Sequence, residues 1–496
     1  MRKNLYSLLV VVPLLVFVSA CTNVGSGSSD TNTTSGPPQP PAGLPAPVQS
    51  VISDCGTTIS VPGIYSLNSS LTTNSNPEAC LTITGTDNVT LNCNGNSVTG
   101  VGQYGIGVLN VNNLIIKNCN VATGTGDGFC TLLGLSNVIG ATVTGSTFGS
   151  SESNFGGVLI SDSTNITFGS QLPSAPANPS VTATTNPSIS GQILNAPPAS
   201  NTVYGFINAW NNVNLVIEGN ALSAVTSSVP NSTMISTVHG QNTHVVNNTV
   251  NGLGSPIPIG EPGAYTFVGA DDDILIANET GPGSLVSGNL LVNAFDCGVE
   301  TVGFMNNITL SDNHIDTVST GIGGWYQLNV TNARFAYNVM TNIEYRGFRY
   351  FRIGGLRPAS SGQPPETTIN FTQNQFTGNI LSQPLLFQGV QLRSVEIDVY
   401  SHMDYVPSPV LSGTVPTPEQ FITVDNTFTN NTFDRAFGQL VFSSGPPWTY
   451  TSNDVIDGGG NICSGSQTSV PSVSPTFGDQ AVALSQVNPI NCGNGN

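Results

Sequence analysis

Apolar and polar residues alternate with period two in short runs along most of this chain, and turns rich in Asn, Asp or Gly separate the runs. The stretch Gly298 to Ile315, GVETVGFMNNITLSDNHI, shows the unit: a glycine, an apolar run, a turn at Asn306-Asn307, and a second alternating run through Asn313 to Ile315. Gly105 to Val121, Gly205 to Leu222 and Gly321 to Met340 follow the same plan. Placing the asparagine of the second run in one column aligns Asn220, Asn248, Asn289, Asn313, Asn338, Asn374 and Asn426. Two residues on stand Leu222, Val250, Leu291, Ile315, Met340, Phe376 and Phe428, all apolar. A second column is expected from the opening glycines Gly105, Gly128, Gly157, Gly205, Gly263, Gly298, Gly321 and Gly347. Steps of 23 to 26 residues recur between them.

Short strands repeating at that period predict a β-solenoid. A leucine-rich repeat has a similar period, but its fixed leucine pattern is absent. One coil cannot bury its own apolar face, whereas coils stacked about 4.8 Å apart make parallel sheets around a continuous core. An asparagine at each bend can hydrogen-bond the asparagines above and below it. The column is therefore read as structural.

Composition sharpens this. Only 8% of the 496 residues are charged, 10 Lys+Arg face 28 Asp+Glu, and the formal net charge is -18. With 38% hydrophobic residues the chain can form a core, and neutral amides and hydroxyls carry its polarity. An acidic surface excludes nucleic acid as a partner and disfavours acidic polysaccharides except at a local basic patch.

Arg2 and Lys3 precede an apolar run from Leu8 to Val18, then Ser19-Ala20-Cys21. This has the form of a secretory signal. Cys21 after Ser19-Ala20 resembles the lipobox of bacterial lipoproteins, which implies cleavage before Cys21, its lipidation, and, with Thr22 next, an outer-membrane or cell-surface address. Residues 21–50, rich in Gly, Ser and Pro, read as a tether. The remaining eight cysteines suggest disulfides in an exported chain. Cys55 with Cys80 would staple the first coil, Cys463 with Cys492 the last, and Cys93 with Cys119 one coil step. In a solenoid Cys130 and Cys297 cannot meet, and each is expected as a buried thiol.

At CGTTISVPGIYSLNSSL (55–71) and LTITGTDNVTLNCNGNSVTG (81–100), together with the repeats, the chain resembles the right-handed parallel β-helix proteins of the pectate-lyase-like superfamily. The resemblance implies an all-β, single-stranded right-handed parallel β-helix over 51–463, after a signal peptide at 1–20 and the tether at 21–50, with a cap or tail at 464–496. The amino-terminal cap is expected at 51–80. Pro- and Ser-rich residues 173–203, and residues Gln388 to Gln420, are expected to interrupt the array. That superfamily includes lyases, glycoside hydrolases, epimerases, tailspikes and surface proteins without catalysis, so its motifs specify fold rather than activity. The polygalacturonase, pectate-lyase and alginate-epimerase signatures have no full match. Val238-His239-Gly240 and the acidic run stand in the wrong order, and Arg352-Ile353-Gly354 lacks the lysine.

Candidate chemistry falls in two places. Five basic residues crowd into Arg334 to Arg357. Registering that coil on its opening glycine puts Arg349 in one outward column with Glu300, Gly323 between them, a separation of roughly 10 Å. Arg352 falls beside Tyr326. Tyr326, Tyr345, Arg346, Tyr350 and Arg352 then make a sugar groove, with aromatics against pyranose faces and arginines on hydroxyls or carboxylates. Glu300 and Asp296 would be the acid/base pair of a hydrolase, with Arg349 beside them; in a lyase an Arg or Lys would act as base. Alternatively the arginines only pair with local acids. The second place is Asp271-Asp272-Asp273, read as a solvated turn or a calcium site. Calcium is the one cofactor considered. The sequence thus favours an exported, lipid-anchored, monomeric β-helix that contacts glycans as a binding or structural module, with a polysaccharide lyase or glycoside hydrolase, or an adhesin without a small ligand, as alternatives.

Overall fold

The computed structural model describes residues 48–74, 78–123, 129–149, 157–169, 200–224, 233–254, 269–279, 283–351, 368–382, 395–400, 420–434, 440–444, 455–464 and 485–487. Within them every element is a strand, and the strands pair in parallel, each with its counterpart one coil on, except Ser485–Val487, which runs antiparallel to Leu440–Ser444. Three faces wind around one interior. The run Leu290–Val292, His314–Thr331, Val339–Phe351, Ile380–Ser382 and Thr432–Asp434 shows one of them in continuous register. Because side chains alternate across a strand, residues such as Ile315, Met340 and Leu381 stack inward while their neighbours face out. Phe335, Phe376 and Phe428 stack their rings at centroid distances of 4.6 and 4.3 Å.

The bends explain the asparagines. From Asn220 on, each ladder asparagine follows a residue at positive φ: Asn247, Asp312, Tyr337 and Asn430 before Asn248, Asn313, Asn338 and Asn431, with glycines before Asn220, Asn289, Asn379 and Asn461. Asn and Asp tolerate that conformation because their short side chains bond locally. The following asparagine turns inward and bonds its counterpart on the next coil. From Asn201 the chain of side-chain bonds passes through 220, 248, 289, 313, 338, 379 and 431 to Asn461, at 2.9–3.1 Å. Each Nδ2 also donates to a backbone carbonyl, such as Val286 from Asn313 at 3.0 Å.

Two columns differ from expectation. Asn374 and Asn426 belong to a different bend, where Asn374 Oδ1 accepts from Ala333 N–H and Asn374 bonds Asn426. The partner of Asn338 is Asn379. Both bends use the same positive-φ residue followed by asparagine, so the pattern merges them. Of the glycines, Gly298, Gly321 and Gly347 stand before the registered Val299, Ile322 and Phe348. Gly128 and Gly263 lie outside the described residues; Ile106, after Gly105, pairs with Leu133, and Gly157 pairs with Phe206 rather than Gly205. The expected interruptions are also trimmed. Asn201 and Val203 already belong to a coil, and Val395–Tyr400 is a strand between Val339–Phe351 and Leu440–Ser444.

Cys55–Cys80 and Cys93–Cys119 are disulfides between adjacent coils at the amino-terminal end. Cys297 is a buried thiol. Cys21 and Cys492 lie outside the described residues, as do the side chains of Cys130 and Cys463.

Candidate functional site

The acidic residues converge where two consecutive coils enter one face. Asp271, Asp272 and Asp273 lead into the strand Ile274–Glu279; Asp296 leads into Cys297–Asn306, directly above. Asp296 N–H donates to Asp271 C=O at 2.7 Å, and Asp273 N–H donates to Cys297 C=O at 3.0 Å, which locks the two entrances together. Thr320 on the third coil donates its N–H to Asp296 C=O at 2.8 Å.

Asp272 is the hub. Its Oδ1 accepts from Cys297 N–H at 3.1 Å and its Oδ2 from the Thr233 hydroxyl at 3.3 Å, and its carboxyl hydrogen-bonds that of Glu300. Glu300 follows the core residue Val299 and so points to the outer side of its strand, yet it is only 4% exposed. Burial, then the Asp296 charge, pushes its pKa to about 8. Burial also drives Asp271 and Asp272 well above the ordinary carboxylate range, Asp271 with the charges of Asp272 and Asp296, Asp272 with those of Glu300 and Asp296. Ionising one acid here penalises the rest, so the cluster holds protons or a cation. Asp271 and Asp296 are half-buried and form its mouth.

The expected solvated turn at Asp271-Asp272-Asp273 is thereby corrected: Asp272 and Asp273 are buried. Nor do the three act together. Asp273 precedes Ile274 in the column of Met234, Gly298 and Gly321, a core column, and both its carboxylate oxygens are buried without a hydrogen-bond partner. Burial, then Asp272, raises its pKa well above the usual range. The atoms that converge within 4.8 Å of one another are those of Asp272, Asp296 and Cys297.

The structure brings Asp296 and Glu300 into one cluster and adds Asp271 and Asp272, which sequence reasoning had set apart. The signal was there: Asp272 and Cys297 are 25 residues apart, one coil step. The register Glu300, Gly323, Arg349 is as expected, and Asp398 continues it. Arg346 registers with Thr320 and, through it, with Cys297. The backbones of Tyr326, Tyr345, Arg346, Arg349 and Tyr350 lie in strands, but their side chains and all of Arg352 lie outside the described residues. Of the described histidines, His239 is exposed, whereas burial lowers the pKa of half-buried His314.

No protein-family model matches the chain, and no curated relative does. Among solved structures it is similar to a double mutant of the periplasmic alginate epimerase AlgG, at 12% identity and TM-score 0.38, over 82% of this chain and 78% of that one. It is also similar to the tailspike protein of E. coli bacteriophage HK620 in complex with pentasaccharide, at 11% and 0.42, over 82% of this chain and 61% of that one. A third is an exopolygalacturonase from Thermotoga maritima, at 8% and 0.32, over 68% and 80%. These are likenesses of fold alone. With its described coils in parallel register, the chain is an all-β parallel β-helix.

Proposed function

We propose that this is an exported, lipid-anchored β-helix that binds glycans along its lateral face and hydrolyses them at the Asp272–Glu300 carboxyl pair. The observation that carries the reading is that pair: two buried carboxyls joined by a hydrogen bond, beneath a mouth of half-buried acids, with Glu300 in register with Arg349 and Asp398. Hydrolysis of a glycosidic bond needs a proton for the leaving oxygen and a carboxylate to activate water or attack carbon. The pair supplies the proton, and Asp296 at the mouth serves as the carboxylate. Tyr326, Tyr345, Arg346, Arg349, Tyr350 and Arg352 supply stacking and hydrogen bonds to the sugar.

A second reading, binding without turnover, is favoured by the direct contact of Asp272 with Glu300. Hydrolases hold their two carboxyls roughly 5–10 Å apart, with room for substrate between. A glycan array on the full chain, then reducing-end and unsaturated-product assays on each glycan bound, tests both. Hydrolysis predicts saturated reducing ends, lost about 100-fold or more in Glu300→Gln with binding retained. Binding without products leaves the second reading; unsaturated products indicate a lyase. Silence across neutral and acidic glycans removes the sugar proposal and leaves an adhesin.

A further inference from the structure

Cys297 plays no part in glycan hydrolysis, yet it is a buried thiol among carboxyls. Its sulfur and one oxygen each from Asp272 and Asp296 lie within 4.8 Å of one another. Three ligand atoms about a small cation stand roughly 3–4 Å apart at ordinary bond lengths, so modest side-chain rotation closes the set. Asp272 is already oriented for this by the Cys297 N–H and the Thr233 hydroxyl, and it keeps Glu300 as an outer hydrogen-bond partner. One further group points to a ligand. Thr320 registers with Cys297 on the next coil, which places the two side chains on the same face of the strands. Its hydroxyl is fully buried and has no hydrogen-bond partner. A metal-bound water above Cys297 would satisfy it.

We propose that Asp272, Asp296 and Cys297 bind a thiophilic divalent cation, zinc being the type, with a water in the fourth position against Thr320. The donor set selects the metal. Calcium and magnesium take oxygen shells of six or more ligands, and a thiol has no place in them. Zinc and cobalt accept one sulfur with two carboxylate oxygens in a four-coordinate site. On binding, the Cys297 S–H bond breaks, sulfur keeps the electron pair and bonds the cation, and the proton leaves to solvent together with any proton on the two carboxyls. This trio differs from Asp271-Asp272-Asp273, which the sequence offered as a calcium site in place of a solvated turn. It shares Asp272 and Asp296 with the glycan reading, but its test involves no sugar, so the two fail separately.

The test uses the full chain, disulfides intact, stripped with a chelator and titrated with cobalt(II) alone. The expected result is one equivalent bound, with a near-ultraviolet thiolate-to-cobalt charge-transfer band, visible bands of tetrahedral intensity, and loss of both when zinc is added. Cys297→Ser abolishes the charge-transfer band, and Asp296→Asn weakens cobalt binding at least tenfold. Asp296 is half-buried, so the second variant keeps the test decisive should Cys297→Ser fail to fold. Three results overturn the proposal: no stoichiometric uptake, uptake without a sulfur band, or a spectrum that both variants leave unchanged.

Discussion

Replacing Asn313 with alanine tests what holds the coils together. Asn313 Oδ1 accepts from Asn289 N–H at 3.2 Å and from Asn289 Nδ2 at 2.9 Å; Asn313 Nδ2 donates to Val286 C=O at 3.0 Å and to Asn338 Oδ1 at 2.9 Å. All four bonds vanish in the variant. At about 1 kcal/mol net for each, and more where a buried partner is orphaned, the loss is about 4–6 kcal/mol. Asn332 is the control: it is exposed at φ 54° in a neighbouring bend, and its change to glycine is expected to stay within about 0.5 kcal/mol. Asn313→Asp adds a sign. The acid keeps an acceptor for Asn289, but its second oxygen faces two acceptors and must carry a proton. Its folded-state pKa is therefore raised, and the variant's penalty is smallest in acid and grows as pH rises. Guanidinium melts, with hydrogen exchange at the Asn289 and Asn313 amides to localise the effect, provide the measurement. If Asn313→Ala costs no more than Asn332→Gly, the ladder only follows the fold and does not hold the coils together.

Other outcomes follow from particular contacts. In chelator-stripped protein Glu300, with a folded pKa of about 8 against 4.5, is protonated in both states at low pH, where its stabilisation is complete. From pH 4.5 to 8 only the unfolded chain loses the proton, so stability falls with rising pH, by at most about 5 kcal/mol from this group. Glu300→Gln should match the parent near pH 4 and exceed it at pH 8 in denaturant melts; parallel curves would contradict the assignment. Asp273→Asn should likewise gain on the parent as pH rises, because Asp273 is a buried acid with a raised pKa. Phe376→Ala, at the centre of the ring stack, should cost about 3–5 kcal/mol in the same melts. Reducing Cys55–Cys80 and Cys93–Cys119, which close loops of 25 and 26 residues, should destabilise the amino-terminal coils by about 3 kcal/mol per bridge, read as faster local exchange there.

The solenoid was legible in the residues themselves. Alternation in the strands and an asparagine at each bend are local properties, and one coil's need to bury its inner face dictates stacking whatever the register. The Glu300 and Arg349 column was also legible, because three consecutive coils there open on glycine. Which asparagine bonds which was not, since two bends carry the same signature and only the closed coil tells Asn374 from Asn379. The acid cluster needed the register too: Asp272 beneath Cys297 and against Glu300 is a fact about neighbouring coils. Charge placed next in sequence reads as a solvated turn, whereas the same charge stacked in space is buried, shares protons and sits beside a thiol. Sequence sets what each coil must hide, and the stack alone decides which side chains meet.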